Sequence, residues 1–319
     1  MNKNFKKKIV YLAIFGYSSI CKKYLKILNE IKFVECHYIL TNQKNIDVNK
    51  YYKKNKVKIT NDIEDIISDI RIKKILILNE PSKHLNHVIK LLKKDINLLI
   101  EKPLYNKIDS KLFNTINETI NLTNSNIYVV SQYRYDGAIL KMRERIVKED
   151  VTSCFLKISM PRSKDYYNHG NKWRLKESSI FFNQAYHWID ILYWFFGEIK
   201  KIDIIEHIKA TNNKYISTTK AKLNFENHLI AQIYGTTGSK NKYIDFKIYK
   251  KNKVIDYKLE KILCRFKDFF NLKFHNMNSS QLLMKKQLID FLHNRKSNLV
   301  DFNTSLKVLK TVLNLSKIE

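Results

Sequence analysis

Three polar residues interrupt an otherwise apolar stretch of the sequence and are the first candidates for chemistry. Asn183, His187 and Asp190 are separated by four and then three residues, so we predict that they share one face of a helix at 180–196. A helix that is apolar on nearly all other sides is normally buried, and buried polar side chains require a partner or a function. Because imidazole titrates near neutral pH, His187 is suited to general acid–base catalysis. The alternative is a core histidine that is hydrogen-bonded to the backbone.

A second candidate group lies upstream, where Glu101-Lys102-Pro103 follows the apolar run NLLI at 97–100. The run is typical of a buried strand that follows a helix, which we predict at 82–94. A lysine at the carboxyl end of a parallel strand, held by a following proline, lies where open α/β sheets bind ligands. Lys102 is therefore a candidate ligand-binding residue.

The periodicity of the chain changes near residue 150 and predicts two kinds of sheet. From 9 to about 130, short apolar runs alternate with helical segments such as 109–124, the pattern of a parallel sheet with helices on both faces. The later strands are longer and alternate in polarity, which indicates an antiparallel sheet with one face covered by the 180–196 helix. We expect Gly235 and Gly238 to mark a turn between two of these strands.

Composition bears on partners and compartment. Lys and Arg outnumber Asp and Glu by 29, but the lysines are spread along the whole chain, so we expect no specific nucleic-acid partner. The positive field favours anionic ligands such as dinucleotides and nucleotide-sugars. No run of about 18 apolar residues exists, so we expect no membrane partner. The four cysteines (Cys21, Cys36, Cys154 and Cys264) lack metal or redox spacing, which favours reduced thiols and a cytoplasmic location.

Two histidines are the candidates for a metal site. His84 and His87 are three residues apart on the predicted 82–94 helix, a spacing that suits metal binding, but no Cys, Asp or Glu nearby completes a ligand set. We therefore predict no metal. The sequence also contains no nucleophile-elbow motif and no Walker loop.

Taken together and in order, segments along essentially the whole chain resemble the glucose–fructose oxidoreductase / inositol dehydrogenase (Gfo/Idh/MocA) family. These segments are the turn IFGYSSICKKYLKIL at 14–28, the strand end LIEKPL at 99–104, SQYRYD at 131–136, the loop RSKDYYNHGNKWR at 162–174, the histidine helix NQAYHWIDILYWFFG at 183–197 and the C-terminal tail at 288–317.

The resemblance implies an α/β fold of two domains. Residues 1–128 are expected to form an N-terminal Rossmann dinucleotide-binding domain. Residues 129–319 are expected to form a C-terminal α+β domain for substrate binding and oligomerisation, with a mostly antiparallel open-faced sheet. The implied activity is that of an NAD(P)-dependent oxidoreductase, which transfers hydride to or from a secondary hydroxyl carbon of a sugar, nucleotide-sugar or cyclic polyol. The cofactor is expected to be NAD or NADP, and the protein a homo-oligomer (dimer or tetramer) through the C-terminal sheet.

The resemblance also implies roles for individual residues. His187 is expected to act as general acid or base, Lys102 to stabilise the alkoxide or share the proton transfer, and Asp190 to orient His187 or bind a neighbouring hydroxyl. The cofactor-binding candidates are Gly16, Tyr17, Ser18, Ser19, Ile20, Thr41, Asn42, Asn79, Pro81, His84, Glu101, Lys102 and Gln132. The substrate-binding candidates are Lys102, Arg134, Tyr167, Trp173, Arg174, Asn183, His187 and Asp190.

The glycine-rich turn departs from the family pattern. Of G-x-G-x-x-G only Gly16 remains, and Ser18 and Cys21 stand at the second and third glycine positions. The second glycine normally lets the pyrophosphate approach the backbone, and the third lets helix and strand pack closely, so we expect weakened cofactor binding. Ser18 offers a hydroxyl that could instead contact a phosphate, and the helix N-terminus that attracts anions is intact.

Other departures concern specificity. Thr41 and Asn42 end the second strand where an NAD-preferring member carries an acidic residue, and Lys44 lies close by, so NADP is also an allowed cofactor. Glu177-Ser178-Ser179 replaces a glycine triple before the histidine helix and alters how closely the backbone approaches the substrate. Asn183 can orient a substrate but cannot act as an acid or base.

Two alternatives stay open on the sequence alone. One is a degenerate family member with weak or no cofactor binding that serves as a binding or scaffold subunit. The altered glycine turn favours it, whereas the presence of Lys102, His187 and Asp190 together favours an enzyme. The other is a basic nucleic-acid-associated protein, which only the net charge favours.

Overall fold

The structure, a computed structural model, describes residues 9–146, 151–163, 179–209, 216–250, 254–258 and 279–316. These residues divide into two compact units. The first contains the described residues up to Val130 together with Met284–Ser305, and the second contains those within Ser131–Leu283 and Leu306–Glu319.

The helices and strands are numbered here in chain order. The chain begins with β1 (Val10–Phe15), α1 (Ser19–Asn29), β2 (Val34–Leu40), β3 (Lys58–Thr60), α2 (Glu64–Ile67), β4 (Ile72–Ile77), α3 (Val88–Leu92), β5 (Asn97–Ile100), α4 (Ser110–Leu122) and β6 (Ile127–Val129). It continues with α5 (Gly137–Ile146), β7 (Val151–Ser159), α6 (Ile180–Asn183), α7 (Tyr186–Phe196), β8 (Ile199–Lys209), β9 (Ile216–Phe225), β10 (Ile230–Thr236), β11 (Tyr243–Lys250) and β12 (Val254–Lys258). It then passes through α8 (Ser279–Leu292), β13 (Val300–Asp301) and α9 (Phe302–Asn314), and 3-10 turns lie at Pro81–Lys83 and Gln132–Tyr135.

The first unit contains a sheet with the strand order β13-β6-β5-β4-β1-β2-β3. Strands β1 to β6 pair in parallel, and β13 is antiparallel to β6. Central strands such as β4 and β5 are mostly buried and rich in Ile and Leu, although β4 also contains Lys73 and Lys74. Such burial is expected of parallel strands with helices on both faces. The predicted Rossmann arrangement of the first domain is confirmed.

The C-terminal segment differs from the expected domain division. The prediction assigned all of 129–319 to the second domain, whereas Met284–Ser305 belongs to the first unit. There β13 pairs with β6, and the ring of Phe291 lies edge-on to Tyr128 at 6.3 Å between centroids. The physical reason is that an unpaired strand edge is satisfied by adding another strand, wherever that strand lies in the sequence.

The predicted helix at 82–94 is not continuous, and this prediction was wrong. The chain instead forms the 3-10 turn Pro81–Lys83 and the short helix α3, with His87 between them in the left-handed region (φ 65°). The ring of His84 is buried and its two nitrogens lie against backbone carbonyls, which fixes the chain before α3 begins. His84 and His87 therefore do not share a helix face.

The second unit contains a sheet with the strand order β12-β11-β7-β10-β9-β8. Neighbouring strands are antiparallel except β7 and β10, which are parallel, so the prediction of a mostly antiparallel sheet is confirmed. Helices α6 and α7 cover one face, as predicted. The indole of Trp188 packs against Phe246 of β11 and Tyr257 of β12, with centroid distances of 6.2 and 5.5 Å.

Gly235 does not mark a turn, which corrects the prediction, because it lies inside β10. A Cβ at this position would lie 3.0 Å from the Phe181 side chain and 3.1 Å from that of Ile180. The missing side chain therefore lets α6 approach the sheet closely. Gly238 follows the end of the strand, where a turn was expected.

The predicted helix at 180–196 is two helices, α6 and α7, interrupted at 184–185. The amides of both interrupting residues donate to the carbonyl of the first residue of α6, at 2.8 and 2.9 Å, and this ends the short helix. Asn183 therefore closes one helix, and His187 lies in the first turn of the next. Only His187 and Asp190 share one helix as predicted.

Two further observations concern the whole described chain. None of the helices in the described ranges is long and apolar enough to cross a membrane. Cys21, Cys36 and Cys154 are buried free thiols, whereas Cys264 lies outside the described residues.

Candidate functional site

The turn after β1 in the first unit requires its glycine. Gly16 has a φ of +90°, and its amide donates to the carbonyl of Leu40 at 2.8 Å. A Cβ on Gly16 would lie 2.8 Å from backbone atoms of Asn79, which is closer than a side chain can approach. The turn therefore packs closely against the carboxyl ends of β1, β2 and β4. This is the edge where parallel sheets bind ligands.

Ser18, at the second glycine position, caps the start of α1. Its hydroxyl accepts a hydrogen bond from the amide of Cys21 (3.4 Å) and donates one to the carbonyl of Leu78 (3.0 Å). The hydroxyl that was expected to be able to contact a phosphate is thus engaged within the protein. The first turn of α1, at Ser19 and Ile20, keeps the helix N-terminus that attracts anions.

Cys21, at the third glycine position, is fully buried beneath the turn. Burial raises the pKa of its thiol to about 12, so the side chain is neutral and packs as a small apolar group. The Gly16 turn and the α1 N-terminus fit a bound dinucleotide. The side chains of Ser18 and Cys21 occupy volume that glycine would leave free, so the pyrophosphate and the backbone fit together less closely than in the glycine-rich pattern.

The end of β2 carries neutral side chains. The amide of Thr41 donates to the carbonyl of Thr60 at 2.8 Å. The hydroxyl of Thr41 accepts a hydrogen bond from the amide of Gln43 at 3.2 Å. Asn42 and Lys44 are exposed. The hydroxyl of Tyr17, a nearly buried residue, donates to the carbonyl of Asp47 at 2.7 Å and anchors this loop next to the Gly16 turn. A cofactor phosphate at this strand end would therefore meet no carboxylate from Thr41 or Asn42.

Lys102 follows β5, and Gly16 follows β1. Since these strands are parallel with only β4 between them, both residues lie at the same edge of the sheet. The carboxylate of Glu101 accepts a hydrogen bond from the amide of Lys102 at 3.2 Å, which fixes the backbone at this position. Burial raises the pKa of the Glu101 carboxyl, and the positive charge of Lys102 opposes that rise.

His84 contacts the segments that follow β4 and β5. Its Nδ1 lies 2.8 Å from the carbonyl oxygen of Pro103, and its Nε2 lies 3.0 Å from that of Asn79. Burial lowers the pKa of His84 to about 4, so the ring is neutral at pH 7 and donates its single N–H to one of the two carbonyls. Together with the buried Pro81, His84 supports the strand ends that carry the predicted cofactor residues.

In the second unit the structure buries all three polar residues of the histidine region. Relative exposures are 4% for Asn183, 6% for His187 and 1% for Asp190. The ring of Tyr133 lies edge-on to the imidazole of His187, with centroids 5.4 Å apart and planes at 77°. The same tyrosine ring lies 5.5 Å from the indole of Trp188.

The carboxylate of Asp190 is held by the 3-10 turn that carries Arg134. The Nε and Nη2 of Arg134 donate to Oδ2 and Oδ1 of Asp190 at 2.8 and 2.6 Å, which makes a bidentate ion pair. Ser131 donates its hydroxyl to Oδ2 at 2.5 Å. The side chains of the ion pair are 6% and 1% exposed. Two predicted site residues, Arg134 and Asp190, are therefore brought together, and they bind each other.

Trp194, one turn beyond Asp190, contacts two guanidinium groups. The guanidinium carbon of Arg134 is 5.0 Å from the indole centroid and that of Arg143, on α5, is 4.3 Å from it. Burial and the neighbouring charge of Arg134 both lower the pKa of Arg143. These contacts attach α5 and the Arg134 turn to the same face of α7.

The remaining predicted residues fall into two groups. Gln132 lies in the same turn as Arg134. Tyr167, Trp173 and Arg174 lie outside the described residues. Ser131 and Tyr133 were not predicted, although both belong to the SQYRYD segment, because only their contacts with α7 give them a part in the site. In the described part of the chain, no group of three His, Cys, Asp or Glu side chains is placed to hold a metal ion.

Solved structures with the same fold include several sugar and polyol dehydrogenases. The WlbA dehydrogenase from Bordetella pertussis, solved in complex with NADH and UDP-GlcNAcA, has a TM-score of 0.77 and 14% identity over 97% of this chain and 95% of its own. Myo-inositol 2-dehydrogenase from Lactobacillus plantarum has a TM-score of 0.77 and 17% identity over 97% and 96% of the two chains. The WlbA (WbpB) dehydrogenase from Thermus thermophilus, with NAD and UDP-GlcNAcA, has a TM-score of 0.73 and 15% identity over 98% and 96%. At these identities the similarity shows the fold.

Sequence comparison identifies the family. No curated protein sequence matches the chain. A family model for the Gfo/Idh/MocA oxidoreductases, described as an NAD-binding Rossmann fold, matches residues 10–119, and the model of the Gfo/Idh/MocA C-terminal domain matches residues 150–255. The two matches together span more than half of the chain. The first covers most of the parallel sheet and the second covers most of the mostly antiparallel sheet. The chain belongs to the Gfo/Idh/MocA family of NAD-binding oxidoreductases.

Proposed function

We propose that this protein is an NAD(P)-dependent dehydrogenase that transfers hydride to or from a secondary hydroxyl carbon of a sugar, nucleotide-sugar or cyclic polyol. The observation that carries the proposal is the position of Lys102 on the same sheet edge as the Gly16 turn. A turn that fits a pyrophosphate binds the dinucleotide, and a nearby cation can stabilise the oxygen of the reacting alcohol.

The structural relatives support the substrate class. They include enzymes solved with UDP-GlcNAcA and enzymes named as inositol dehydrogenases. Both kinds of substrate present a ring carbon with a secondary hydroxyl. The excess of 29 positive charges on this chain favours the association of an anionic substrate or cofactor.

We assign the binding residues from the family pattern and the sheet edge. The Gly16 turn with Ser18–Ile20 holds the pyrophosphate, Thr41 and Asn42 lie by the ribose, and Asn79, Pro81, His84, Glu101 and Gln132 complete the cofactor side. A dinucleotide held by these residues would supply the site that accepts or donates hydride. Because neither Thr41 nor Asn42 carries a negative charge that would repel a 2′-phosphate, NADP is accepted as well as NAD.

The chain's own residues handle the proton. His187 takes the hydroxyl proton as negative charge develops on the substrate oxygen, since a neutral imidazole has a ring nitrogen that can accept a proton. Lys102 stabilises that oxygen electrostatically. Asn183 orients a neighbouring hydroxyl through its amide, and Tyr167, Trp173 and Arg174 contribute to the substrate side.

We further propose that the protein is a cytoplasmic homo-oligomer. Burial of Cys21, Cys36 and Cys154 as free thiols suits a reducing compartment. The face of the second sheet opposite α6 and α7 presents Lys157 over the rings of Tyr234 and Tyr243, at 5.5 and 5.4 Å. Such a mixed polar and aromatic sheet face suits a second copy of the chain. Light scattering on the purified protein tests this, and a monomer at micromolar concentration would contradict it.

The scaffold alternative is not favoured, because the family match covers both the dinucleotide domain and the C-terminal domain. The deciding experiment is a titration with NADH and with NADPH followed by nicotinamide fluorescence. Gly16→Ala is the matched control, since its Cβ would collide with Asn79. We expect binding by the wild type and none by the variant. Equal signals from both proteins, with no saturation at millimolar dinucleotide, would favour the scaffold instead.

A further inference from the structure

We propose that Ser131, Tyr133 and Arg134, called here the 131–134 clamp, act as positioning residues that set the place and orientation of the His187 imidazole. Asp190 is then the anchor of this clamp and contacts neither substrate nor the His187 ring. The proposal rests on the proposed function only in giving His187 a role in proton transfer, because the clamp itself is argued from contacts within the second unit.

The first step concerns the occupancy of the Asp190 carboxylate. A carboxylate has about four acceptor positions. Three are filled, two by Arg134 and one by Ser131, at 2.5 to 2.8 Å. The side chain is only 1% exposed. Within the described residues its hydrogen bonds go to these two partners and not to His187. A substrate hydroxyl would therefore find at most one acceptor position left, on a side chain with almost no exposed surface.

The second step is the alignment of the contacts along α7. His187, Asp190 and Trp194 lie at i, i+3 and i+7, so they share one face of the helix. Tyr133 contacts the first, and Arg134 contacts both the second and the third. The clamp thus holds α7 at successive turns of the face that carries His187. Rotation of the helix about its axis would break all three contacts together.

The third step is the ring of Tyr133. The Tyr133 ring is nearly perpendicular to the imidazole of His187, and it also packs against the indole of Trp188. An aromatic ring packed against an imidazole restricts the rotation of that imidazole. Acid–base catalysis needs that restriction, because a displacement of about 1 Å can cost about 100-fold in rate.

The first test reads the imidazole directly and needs no substrate. Ring-labelled histidine is observed by NMR, and the His187→Gln variant identifies the His187 signal. Tyr133→Leu should shift the ring protons of His187, because the ring current of the tyrosine is lost, whereas Tyr133→Phe should leave them close to wild type. Unchanged His187 signals in Tyr133→Leu would overturn the clamp.

Arg134 and Asp190 are tested in the same spectrum. Arg134→Lys keeps the charge but loses the bidentate geometry, and we expect it to shift or broaden the His187 signal. Arg143→Gln is the matched control, since Arg143 stacks on Trp194 without touching Asp190, and it should leave the signal in place. An effect of Arg143→Gln as large as that of Arg134→Lys would show general loosening of the fold and contradict a specific clamp.

The second test separates positioning from substrate binding. In Asp190→Asn and Arg134→Lys we expect kcat to fall about 10- to 100-fold with KM changed less than about 3-fold. The double variant should be no worse than the poorer single one, because both changes break one unit. A raised KM with additive losses would make Asp190 a substrate ligand and overturn the proposal. A wild type without turnover on any sugar or polyol would refute the proposed function alone, since the NMR comparison still decides on the clamp.

Discussion

Removing the charge of Asp190 should destabilise the second unit strongly. Asp190→Asn keeps the shape of the side chain but leaves the guanidinium of Arg134 in a site where it is 6% exposed. Breaking one side of a buried ion pair costs about 3–5 kcal/mol, because the remaining charge is neither solvated nor paired. The hydrogen bond from Ser131 is also weakened, since it loses a charged acceptor.

Urea unfolding followed by tryptophan fluorescence measures this loss where it occurs. Trp188 and Trp194 both lie on α7, next to the ion pair. With a slope of about 2 kcal/mol per molar urea, a loss of about 4 kcal/mol moves the midpoint down by about 2 M. Lys201→Gln is the control in the same unit. Its pair with Asp203 has a similar distance of 2.8 Å, but the side chains are 70% and 40% exposed, so the midpoint should hardly move.

A double variant distinguishes the cost of burial from the cost of a lost contact. Arg134→Met combined with Asp190→Leu removes both charges and replaces them with apolar groups of similar size. Such replacements are often neutral or stabilising, so the double variant should recover most of the stability lost in Asp190→Asn. If Asp190→Asn shifts the midpoint no more than Lys201→Gln does, the pair is solvated in solution and the reasoning fails.

Three further predictions concern the first unit and the chemistry. Ser18→Gly should bind NADH more tightly than the wild type, because the side chain of Ser18 no longer occupies the turn. Loss of the N-cap should cost a few tenths of a kcal/mol in helix stability. Unchanged affinity in the fluorescence titration would argue against a crowded pyrophosphate site. Lys102→Ala and His187→Ala should each lower kcat by about 100-fold or more, while His187→Ala leaves NADH affinity nearly unchanged; wild-type turnover in either variant would remove that residue from the mechanism. His84 has a folded pKa of about 4, below its unfolded value, so its contribution to stability is present above about pH 6.5 and is lost as the pH falls through 4. His84→Gln should therefore flatten the acid limb of stability measured by circular dichroism, and parallel acid limbs for the two proteins would refute the assignment.

Local patterns in the sequence were sufficient for the parallel sheet and its ligand edge. The runs that form β4 and β5 are rich in Ile and Leu and mostly buried, and Lys102 follows at the carboxyl end of β5. Their positions depend on neighbours in the sequence, which periodicity reports. The helix at 82–94 failed for the opposite reason. Its break is fixed by the burial of the His84 ring against carbonyls of another strand end, and helical periodicity does not register such a contact.

Glycine positions show the same limit. Gly16 was predicted correctly to form a turn, because it follows a strand and precedes a helix. Gly235 was predicted to lie in a turn. It lies instead in a strand, where the absence of a side chain lets Phe181 and Ile180 pack against the sheet. A glycine in a strand has no local signature that separates a turn from a close approach by another element. The partner in this case lies more than fifty residues away in the sequence, so only the packing of α6 reveals it.

The polar face of α7 illustrates why the sequence could find the histidine region without assigning its roles. A catalytic imidazole and a structural carboxylate produce the same pattern, a polar residue on an apolar helix, because both must be buried and both must be on the inner face. What separates them is the partner. Asp190 takes its hydrogen bonds from Arg134 and Ser131, which are 56 and 59 residues upstream, and these use most of its acceptor capacity. A proton acceptor in catalysis must keep a lone pair for the substrate, so a carboxylate held by three donors is better suited to fix the geometry of its neighbour. The same criterion applies to His84, whose two nitrogens lie against carbonyls. In Asp190 and His84 alike, the hydrogen-bonding capacity that is already engaged within the protein therefore assigns the side chain to holding the fold.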